Sequence, residues 1–350
     1  MAKTQIILPN RQSALKLLDR KLKKLNNDHS RKYFIMTDEN VLEHCMPTLI
    51  CNVTELEEAD FLELPSGEAC KEVEIVTEVW KSLIASNADR DAIIVNLGGG
   101  CVCDVGGFIA STYKRGIDFV NVPTTLTAMV DAAIGGKTAI NLGGAKNQIG
   151  CFRNPIITCI EPAFLETLPE NELRSGEYEI MKSLILNGSG IDSFPSGNVP
   201  DYTTLIKECV DFKLSVVKAD PLDKDLRKIL NFGHTFGHAL ESYYLSLNTP
   251  RTHGECVGIG MLYALYLSHK KLGLSRNTFL QYRTWLSSRM AIPHLSLKEV
   301  EPILQFMHLD KKNSDEAVLC VLLQDIGVPV IDVAVSDNEI RDTLLSAAKI

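Results

Sequence analysis

The stretch Ala-Ile-Ile-Val-Asn-Leu-Gly-Gly-Gly-Cys-Val-Cys-Asp, residues 92–104, decides the fold of the first half of the chain. Its apolar run Ala92–Leu97 predicts a buried strand, and Asp104 is expected to open the following helix. A strand, a glycine turn and a helix in this order let backbone amides approach a phosphate at the helix N-terminus. The pattern is neither Gly-x-Gly-x-x-Gly nor a P-loop, so a tight strand-to-helix turn stays an alternative.

The surrounding sequence alternates short apolar runs with amphipathic stretches. The predicted strands are Thr4–Leu8, Tyr33–Met36, Ala92–Leu97 and Asp118–Val122, and the predicted helices are Gln12–Leu25, Ala69–Ala85 and Val105–Thr112. This alternation predicts an α/β nucleotide-binding domain with a mostly parallel sheet, whose ligands bind outside the carboxyl ends of the strands. Two further polar strand ends, Thr37–Asn40 and Pro123–Thr125, favour nucleotide binding there, with Asp38 placed to accept from a ribose hydroxyl.

The second half of the chain is predicted to be mainly helical. The predicted elements are helices at Glu170–Asn187, Tyr202–Lys218, Asp225–Ser246, Cys256–Leu272 and Leu297–Phe306, and strands at Val318–Leu323 and Pro329–Val335. The segment Gly188–Pro200 is predicted to be a loop, since it is rich in Gly and Pro. We therefore expect two domains, an N-terminal α/β domain over residues 1–160 and a mainly α-helical domain over residues 161–350.

Composition limits the class of function. The chain has 350 residues, a formal net charge of −8 and 45% hydrophobic residues, which is ordinary for a globular protein and unlike a general nucleic-acid binder. No apolar run is long enough to suggest a membrane span, and the N-terminus lacks the apolar core of a signal peptide. The ten scattered cysteines are expected to be reduced thiols. These features predict a cytoplasmic protein.

Three histidines lie close together in the run Asn231–His238 and the following His253-Gly-Glu. His234 and His238 are four residues apart, so they project from one face of a helix, and Arg227 and Asn231 are predicted to share that face. This spacing suits either a metal site or one metal ligand beside an acid–base group. For His253, a position in a helix cap is an equally simple interpretation.

Two other groups of polar residues have both a functional and a simple interpretation. The glycine-rich stretch 135–147 carries two lysines and could wrap an oxyanion, or it could be a solvated loop. Glu179 and Lys182 share a helix face, for which spacing alone favours a surface ion pair. Lys213, taken by itself, is most simply a solvated lysine.

Together these motifs resemble the 3-dehydroquinate synthase family of the sugar-phosphate cyclase superfamily. The resemblance runs from about Thr37 to Gly327 and rests on an ordered set of motifs: Gly67–Lys71, Gly98–Asp104, Thr112–Gly116, Val122–Leu126, Val130–Thr138, Lys146–Gly150, Thr167–Glu172, Asn231–His238 and His253–Glu255. It implies an NAD-binding α/β domain, a helical metal-binding domain and an active site between them. The implied cofactors are NAD and a divalent metal, zinc or cobalt.

The resemblance implies conversion of 3-deoxy-D-arabino-heptulosonate 7-phosphate to 3-dehydroquinate and phosphate in the shikimate pathway. The implied steps are transient oxidation by NAD, phosphate elimination, re-reduction and intramolecular aldol closure. The sequence leaves two alternatives open, another sugar-phosphate cyclase and a metal- and NAD-dependent polyol dehydrogenase. A non-enzymatic scaffold protein is a weaker third.

The resemblance also assigns roles to individual residues. The implied metal ligands are Glu179, His234 and His253. The implied catalytic and substrate-surrounding residues are Asp131, Lys137, Lys182, Lys213, Arg227, Asn231 and His238. Phosphate contacts are expected from Arg115, Asn147, Lys146 and Lys311, together with Lys137, Asn231 and His238, and Arg115 is expected to reach in from the partner of a homodimer. The implied NAD-binding residues are Asp38, Asn40, Glu68, Lys71, Gly99, Gly100, Asp104, Thr124, Thr125 and Thr167.

The chain departs from the family pattern around the implied metal carboxylate. Tyr178 stands where the family has Ala, and Leu184 stands where it has Gly. Both residues add bulk to the helix that carries Glu179. A variant of the family and a reshaped substrate pocket are both compatible with this change.

Overall fold

The computed structural model describes residues 4–9, 12–27, 30–143, 145–195, 200–309 and 317–349. The chain divides into two compact units, one of Met1–Leu173 with Tyr202–Val210 and one of Arg174–Asp201 with Asp211–Ile350. The domain division at 1–160 and 161–350 stays a prediction. The expected phosphate contact Lys311 lies outside the described residues.

The first unit is built on a parallel sheet. Its strands are β1 (Gln5–Ile7), β2 (Tyr33–Asp38), β3 (Asp60–Leu64), β4 (Ile93–Gly98), β5 (Asp118–Pro123), β6 (Lys137–Leu142), β7 (Ala145–Phe152) and β8 (Ile157–Cys159). Its helices include α1 (Ala14–Leu25), α2 (Glu39–His44), α3 (Met46–Asn52), α4 (Val73–Ala85) and α5 (Gly100–Thr112). Among the described residues, six strands pair in the order β1-β8-β5-β4-β2-β3, and every pairing is parallel. The predicted α/β class is confirmed.

The sheet places three polar strand ends side by side. β2 and β4 are buried along their whole length, as expected for parallel strands covered on both faces. Because β5, β4 and β2 are neighbours and run in the same direction, Pro123, Gly98 and Asp38 end at one edge of the sheet. The sequence predicted this edge correctly.

The glycine-rich stretch 135–147 is not a loop, which corrects the sequence interpretation. It contributes to β6 and β7, which pair antiparallel as a hairpin with register from Lys137 opposite Phe152. The β7 side chains are almost all exposed. Because this stretch is rich in glycine, the alternation of apolar and polar residues that indicates a strand is not evident in its sequence.

The second unit is mainly helical, as predicted. Its elements are α6 (Glu170–Leu186), α7 (Tyr202–Ala219), α8 (His234–Ser246), α9 (His253–Leu272), α10 (Arg276–Ser287), α11 (Leu297–Leu309), the antiparallel strands β9 (Val318–Asp325) and β10 (Val328–Val335), and α12 (Asp337–Ser346); the first residues of α6 and α7 belong to the first unit. Within the described ranges, no helix is both long and apolar enough to cross a membrane.

The predicted helix Asp225–Ser246 is broken, so the single face proposed for Arg227, Asn231, His234 and His238 is wrong. Residues Leu226–Asn231 form a 3-10 helix, and α8 begins only at His234. The break falls at Gly233, whose backbone is left-handed with φ of 79°. His234 and His238 still share a face, because both lie on α8.

Gly233 is required at this break for two separate reasons. Its positive φ disfavours a residue with a side chain. In addition, a Cβ at this position would lie 2.5 Å from Cγ of Met261 and 2.9 Å from its backbone nitrogen on α9. Gly273, at the C-cap of α9, has a similar φ of 77° but has open space around its Cβ position.

We expect Gly233→Ala to destabilise the protein more than Gly273→Ala does. In the control variant, Gly273→Ala, the only expected cost is that of placing a side chain on a left-handed backbone, about 1 kcal/mol. Gly233→Ala adds overlap with α9, which brings the total to roughly 2–4 kcal/mol. Chemical denaturation of both variants measures the difference. Equal free energies of unfolding would contradict the assignment of a close approach between Gly233 and α9.

Candidate functional site

The first unit carries a glycine loop at the N-terminus of a long helix. Gly99 is the N-cap residue and α5 begins at Gly100, earlier than the predicted start. The backbone N–H of Thr124 donates to the Gly98 carbonyl over 3.0 Å. A Cβ at Gly99 would lie 3.1 Å from the methyl group of Thr125. The loop therefore presents helix amides and threonine hydroxyls at one rim, which suits a dinucleotide phosphate.

A network of polar side chains lies beside this loop. Lys71 Nζ is 2.7 Å from Asp104 Oδ2 and 3.0 Å from Asn147 Oδ1. Asn141 donates to Glu68 Oε2 over 3.1 Å and accepts from the Asn147 backbone N–H over 2.9 Å. Glu68, Lys71, Asp104 and Asn147, which come from three separate segments of the sequence, are thus brought into one cluster.

Electrostatics keep this network ionised. Burial alone would lower the pKa of Lys71, but Asp104 beside it raises that pKa above its ordinary value. Burial likewise acts to raise the pKa of Glu68, but the charge of Lys71 and the hydrogen bond from Asn141, with smaller contributions from other neighbours, together outweigh burial, so that the pKa of Glu68 is lowered. Both groups are charged at neutral pH.

Asn141 is a residue of this cluster that the sequence pattern did not indicate. This residue is buried and links Glu68 to Asn147, whose backbone is left-handed with φ of 53°. A polar residue in the middle of an otherwise apolar run, Ala139–Leu142, was the signal available. Its hydrogen bonds hold Asn147 in a conformation that non-glycine residues rarely adopt.

The other predicted residues of the first unit occupy varied positions. Asp38 Oδ1 caps α2 by accepting from the backbone N–H groups of Asn40 and Val41, both over 3.1 Å. Asp131 lies in a π-helical turn, Ala128–Ala132. The side chains of Arg115, Lys137, Lys146 and Thr167 are exposed. Arg115 sits in a tight turn with φ of 70°.

The second unit brings a buried carboxylate against imidazoles from two other helices. Glu179 on α6 is 1% exposed. Its Oε1 lies 3.6 Å from Nε2 of His234, on α8, and 3.5 Å from Nε2 of His253, on α9. The exposed His238 lies one turn along α8, and ring nitrogens of the three histidines lie within 4.8 Å of one another. A carboxylate and imidazoles converging in this way form a donor set suited to a divalent metal.

The pKa values at this cluster are strongly shifted. Burial, followed by the charge of Lys182, lowers the pKa of His234 well below its usual value. Burial also acts to lower the pKa of His253, but hydrogen bonds to Glu179 and Glu241 outweigh it and raise that pKa to about 10. Two carboxylates therefore attract positive charge to His253, which is where a metal cation would be stabilised.

Two lysines for which a surface position is the simplest interpretation of the sequence are buried. Lys182 is 2% exposed and its Nζ lies 2.6 Å from Glu179 Oε2, so this pair is not the surface ion pair that its spacing favoured. Lys213 on α7 is 7% exposed. The burial of both side chains contradicts the surface positions that the simple interpretation gave them.

Arg227 and Asn231 lie on the 3-10 helix before Gly233. Arg227 is buried, its backbone N–H donates to Asp220 Oδ2 over 3.0 Å, and its Nη1 donates to the Pro221 carbonyl over 3.2 Å. The Asp220 carboxylate also accepts from the backbone of Lys224 and Asp225. Asp220 therefore organises the turn that carries Arg227.

Glu241 is a second residue that the sequence pattern did not indicate. Its Oε2 lies 3.2 Å from Nδ1 of His253, on the side of the ring opposite Glu179. The available signal was spacing, since Glu241 follows His238 by three residues on the same helix face.

Tyr178 is directed into the interface between helices. Its ring packs on Gly258 of α9 and makes an edge contact with Trp285 on α10, with ring centroids 5.8 Å apart. Tyr178 and Leu184 are both fully buried in the core of this unit. The side chain of Tyr178, which differs from the family pattern, therefore fills the space between α6 and α9.

Known proteins resemble this chain over most of its length. A family model described as the N-terminal part of 3-dehydroquinate synthase matches residues 61–175, and its C-terminal counterpart matches residues 179–313. A 3-dehydroquinate synthase of Parabacteroides distasonis is 35% identical over 321 residues, which cover 89% of this chain and 90% of that protein.

Two solved structures share the fold. One is 2-deoxy-scyllo-inosose synthase complexed with carbaglucose-6-phosphate, NAD+ and Co2+, with a TM-score of 0.84, 24% identity and coverage of 97% of this chain and 95% of that one. The other is 2-epi-5-epi-valiolone synthase from Streptomyces hygroscopicus with NAD+ and Zn2+, with a TM-score of 0.81, 25% identity and coverage of 100% and 98%.

The fold is that of the sugar-phosphate cyclases, an N-terminal parallel-sheet α/β domain followed by a helical domain. The chain belongs to the 3-dehydroquinate synthase family. It is an enzyme, a phosphate-eliminating cyclase.

We expect Gly258→Ala to destabilise the protein because a Cβ there would lie 2.7 Å from Cδ1 of the Tyr178 ring. The expected cost is about 1–3 kcal/mol. In a Tyr178→Ala background the same substitution meets no ring, so its cost should fall by roughly 1 kcal/mol or more. A double-mutant cycle by urea denaturation measures this coupling, and additive effects would contradict the packing.

Proposed function

We propose that this protein converts 3-deoxy-D-arabino-heptulosonate 7-phosphate to 3-dehydroquinate and phosphate. The observation that carries the proposal is the cluster of buried Glu179 and His234 with partly exposed His253, with Lys182 against the same carboxylate. Such a cluster combines a place for a divalent cation with a fixed positive charge for an anionic substrate. The family membership supplies the reaction type.

Glu179, His234 and His253 are the proposed metal ligands. A single carboxylate oxygen lies nearly equidistant from two Nε2 atoms, at 3.6 and 3.5 Å, so one ion can be shared by all three groups. Three protein ligands leave open coordination positions, and the bound metal would make a chelated substrate hydroxyl more acidic. Zinc and cobalt both suit this donor set.

His238 is proposed to act on the substrate instead of the metal. It is exposed, whereas His234 is buried, and its ring centroid lies 5.3 Å from that of His234. A ligand set that includes the Glu179 carboxylate balances the charge of a divalent ion better than three neutral imidazoles do. His238 is then left to hold the phosphate and to relay protons beside it.

The glycine loop of the first unit is proposed to bind NAD. Its helix amides and the hydroxyls of Thr124 and Thr125 suit the pyrophosphate, while Asp38 suits a ribose hydroxyl. The remaining proposed contacts are Asn40, Glu68, Lys71, Gly99, Gly100, Asp104 and Thr167. Bound NAD supplies reversible hydride transfer, so that the cofactor is regenerated within one turnover.

The remaining charged and amide side chains are proposed to surround the substrate, which has a carboxylate and a phosphate as its two anionic ends. In the second unit these are Lys182, Lys213, Arg227 and Asn231, which are suited to carboxylate and phosphate oxygens. In the first unit they are Asp131, Lys137, Lys146 and Asn147. The positive groups stabilise negative charge that develops during elimination, and Asp131 helps to orient hydroxyl groups.

We further propose a cytoplasmic homodimer in which Arg115 reaches the phosphate of the partner's active site. All ten cysteines are free thiols in the described structure, which fits a reducing compartment. Arg115 is exposed and lies in the left-handed turn formed by Lys114 and Arg115 after α5. Such a turn can present a guanidinium group to a neighbouring molecule.

A single assay tests the proposed reaction. Protein, NAD, zinc and the heptulosonate phosphate are mixed, and phosphate release and NADH absorbance are followed together. We expect stoichiometric phosphate release without net NADH, because hydride returns to the product. Net NADH would identify a polyol dehydrogenase, and phosphate release only from a different sugar phosphate would identify a sister cyclase.

His253→Ala is expected to abolish turnover in the same assay, and full activity of this variant would refute the role of His253 as a ligand.

Mixed dimers test the proposed position of Arg115. Arg115→Ala and His253→Ala are each expected to be inactive alone. In a mixed dimer, one of the two sites has an intact His253 and receives an intact Arg115 from the other subunit. Random mixing makes about half of the dimers mixed, so it should restore about a quarter of wild-type activity. No recovery after verified subunit exchange would show that Arg115 acts within its own subunit, or not at all.

A further inference from the structure

Glu241 connects the two helices that carry the histidine ligands. It lies on α8, seven residues after His234, and its Oε2 is 3.2 Å from Nδ1 of His253 at the start of α9. On the other side of the same ring, Nε2 is 3.5 Å from Glu179 Oε1. The His253 ring is therefore held between two carboxylates.

This arrangement fixes which nitrogen of His253 is available to a metal. A neutral imidazole has one N–H group and one lone pair, and the acceptor beside the N–H determines which nitrogen is which. Metal binding requires the ring to lose its second proton; with Glu241 accepting from Nδ1–H, that loss leaves the lone pair on Nε2, on the side of Glu179. With a cation between Nε2 and Glu179, the opposite tautomer would turn its N–H toward the cation and its lone pair toward the Glu241 carboxylate, and both contacts are repulsive.

The ring of His234 is oriented in the same way, with Nε2 toward Glu179, but a different hydrogen-bond acceptor lies beside its Nδ1. Its Nδ1 lies 3.2 Å from the backbone carbonyl of Phe232, the residue before the break at Gly233. Its Nε2 faces the same oxygen of Glu179. Both histidines thus have an acceptor behind Nδ1, a backbone carbonyl in one case and a carboxylate in the other.

We propose that Glu241 is a positioning residue that orients His253 for metal binding and makes its Nε2 a stronger donor. The inference rests on the metal ligands assigned in the proposed function, and it adds a residue that the family motifs do not assign. It holds whether the third ligand is Glu179 or His238, because His253 belongs to both possible sets. Partners of this kind behind a metal-bound imidazole change affinity by about 10–100-fold.

The carboxylate is expected to act through charge as well as orientation. An ionised acceptor polarises the Nδ1–H bond and raises electron density at Nε2, whereas an amide oxygen only orients the ring. Glu241→Gln should therefore weaken metal binding less than Glu241→Ala does. This order of losses in metal affinity distinguishes a positioning role from a general loss of stability, because a loss of stability would not depend on which hydrogen-bond acceptor residue 241 carries.

The test measures metal affinity and not turnover alone. The dissociation constant for Zn2+ is determined by chelator competition on the full-length protein, and the visible absorption of the Co2+-loaded protein reports ligand geometry. We expect a loss of about 10–100-fold for Glu241→Ala, a smaller loss for Glu241→Gln, and a changed Co2+ spectrum for the alanine variant. Matched controls are Glu301→Ala and Glu301→Gln, since Glu301 pairs with Arg341 on the helices α11 and α12.

Each outcome has a definite meaning. If Glu241→Ala binds Zn2+ as wild type does and has the wild-type Co2+ spectrum, the inference is overturned while the proposed reaction stands. If the Glu241 variants weaken metal binding in the expected order but wild type releases no phosphate, the inference stands and the proposed reaction fails. Equal losses in the Glu301 variants, or a wild-type protein that binds no metal, would overturn the inference.

Discussion

The close approach of α9 to α6 and α8 is the constraint on which the candidate metal site depends. A Cβ at Gly254 would overlap the backbone of Ser175 on α6, and a Cβ at Gly260 would overlap the carbonyl of Gly233. The Gly254 backbone N–H donates to Ser175 Oγ over 3.0 Å. Because glycines let these backbones nearly touch, His253 comes within 3.5 Å of a carboxylate on another helix.

This packing explains how so many charges are buried together. Glu179 and Lys182 are 1% and 2% exposed, and an ion pair at that depth is stable only when its remaining polar atoms also have partners. The histidines on α8 and α9 surround the carboxylate, and Glu241 and the Phe232 carbonyl hold those histidines in turn. Rigid helices, and not loops, fix every member of the cluster, which suits a site that needs precise geometry.

Much of the fold could be predicted from the sequence, because apolar runs and glycine punctuation are local signals. The strands ending at Asp38, Gly98 and Pro123 were found in this way, and so was the pairing of His234 with His238 on one helix. The break at Gly233 was missed because it depends on contact with Met261 on another helix. Asn141 and Glu241 were missed for the same reason, since their roles come from partners distant in sequence. The burial of Lys182 and Lys213 is likewise a tertiary property that spacing does not reveal.

The central claim is that Glu179, His234 and His253 together hold the metal. The most direct measurement is a crystal structure of the zinc-loaded protein with data collected at the zinc absorption edge. The account predicts one anomalous peak at about 2.0–2.2 Å from a Glu179 oxygen and from Nε2 of both histidines. A zinc ion bound by His234, His238 and His253, with Glu179 still paired to Lys182 and outside the coordination sphere, would contradict it.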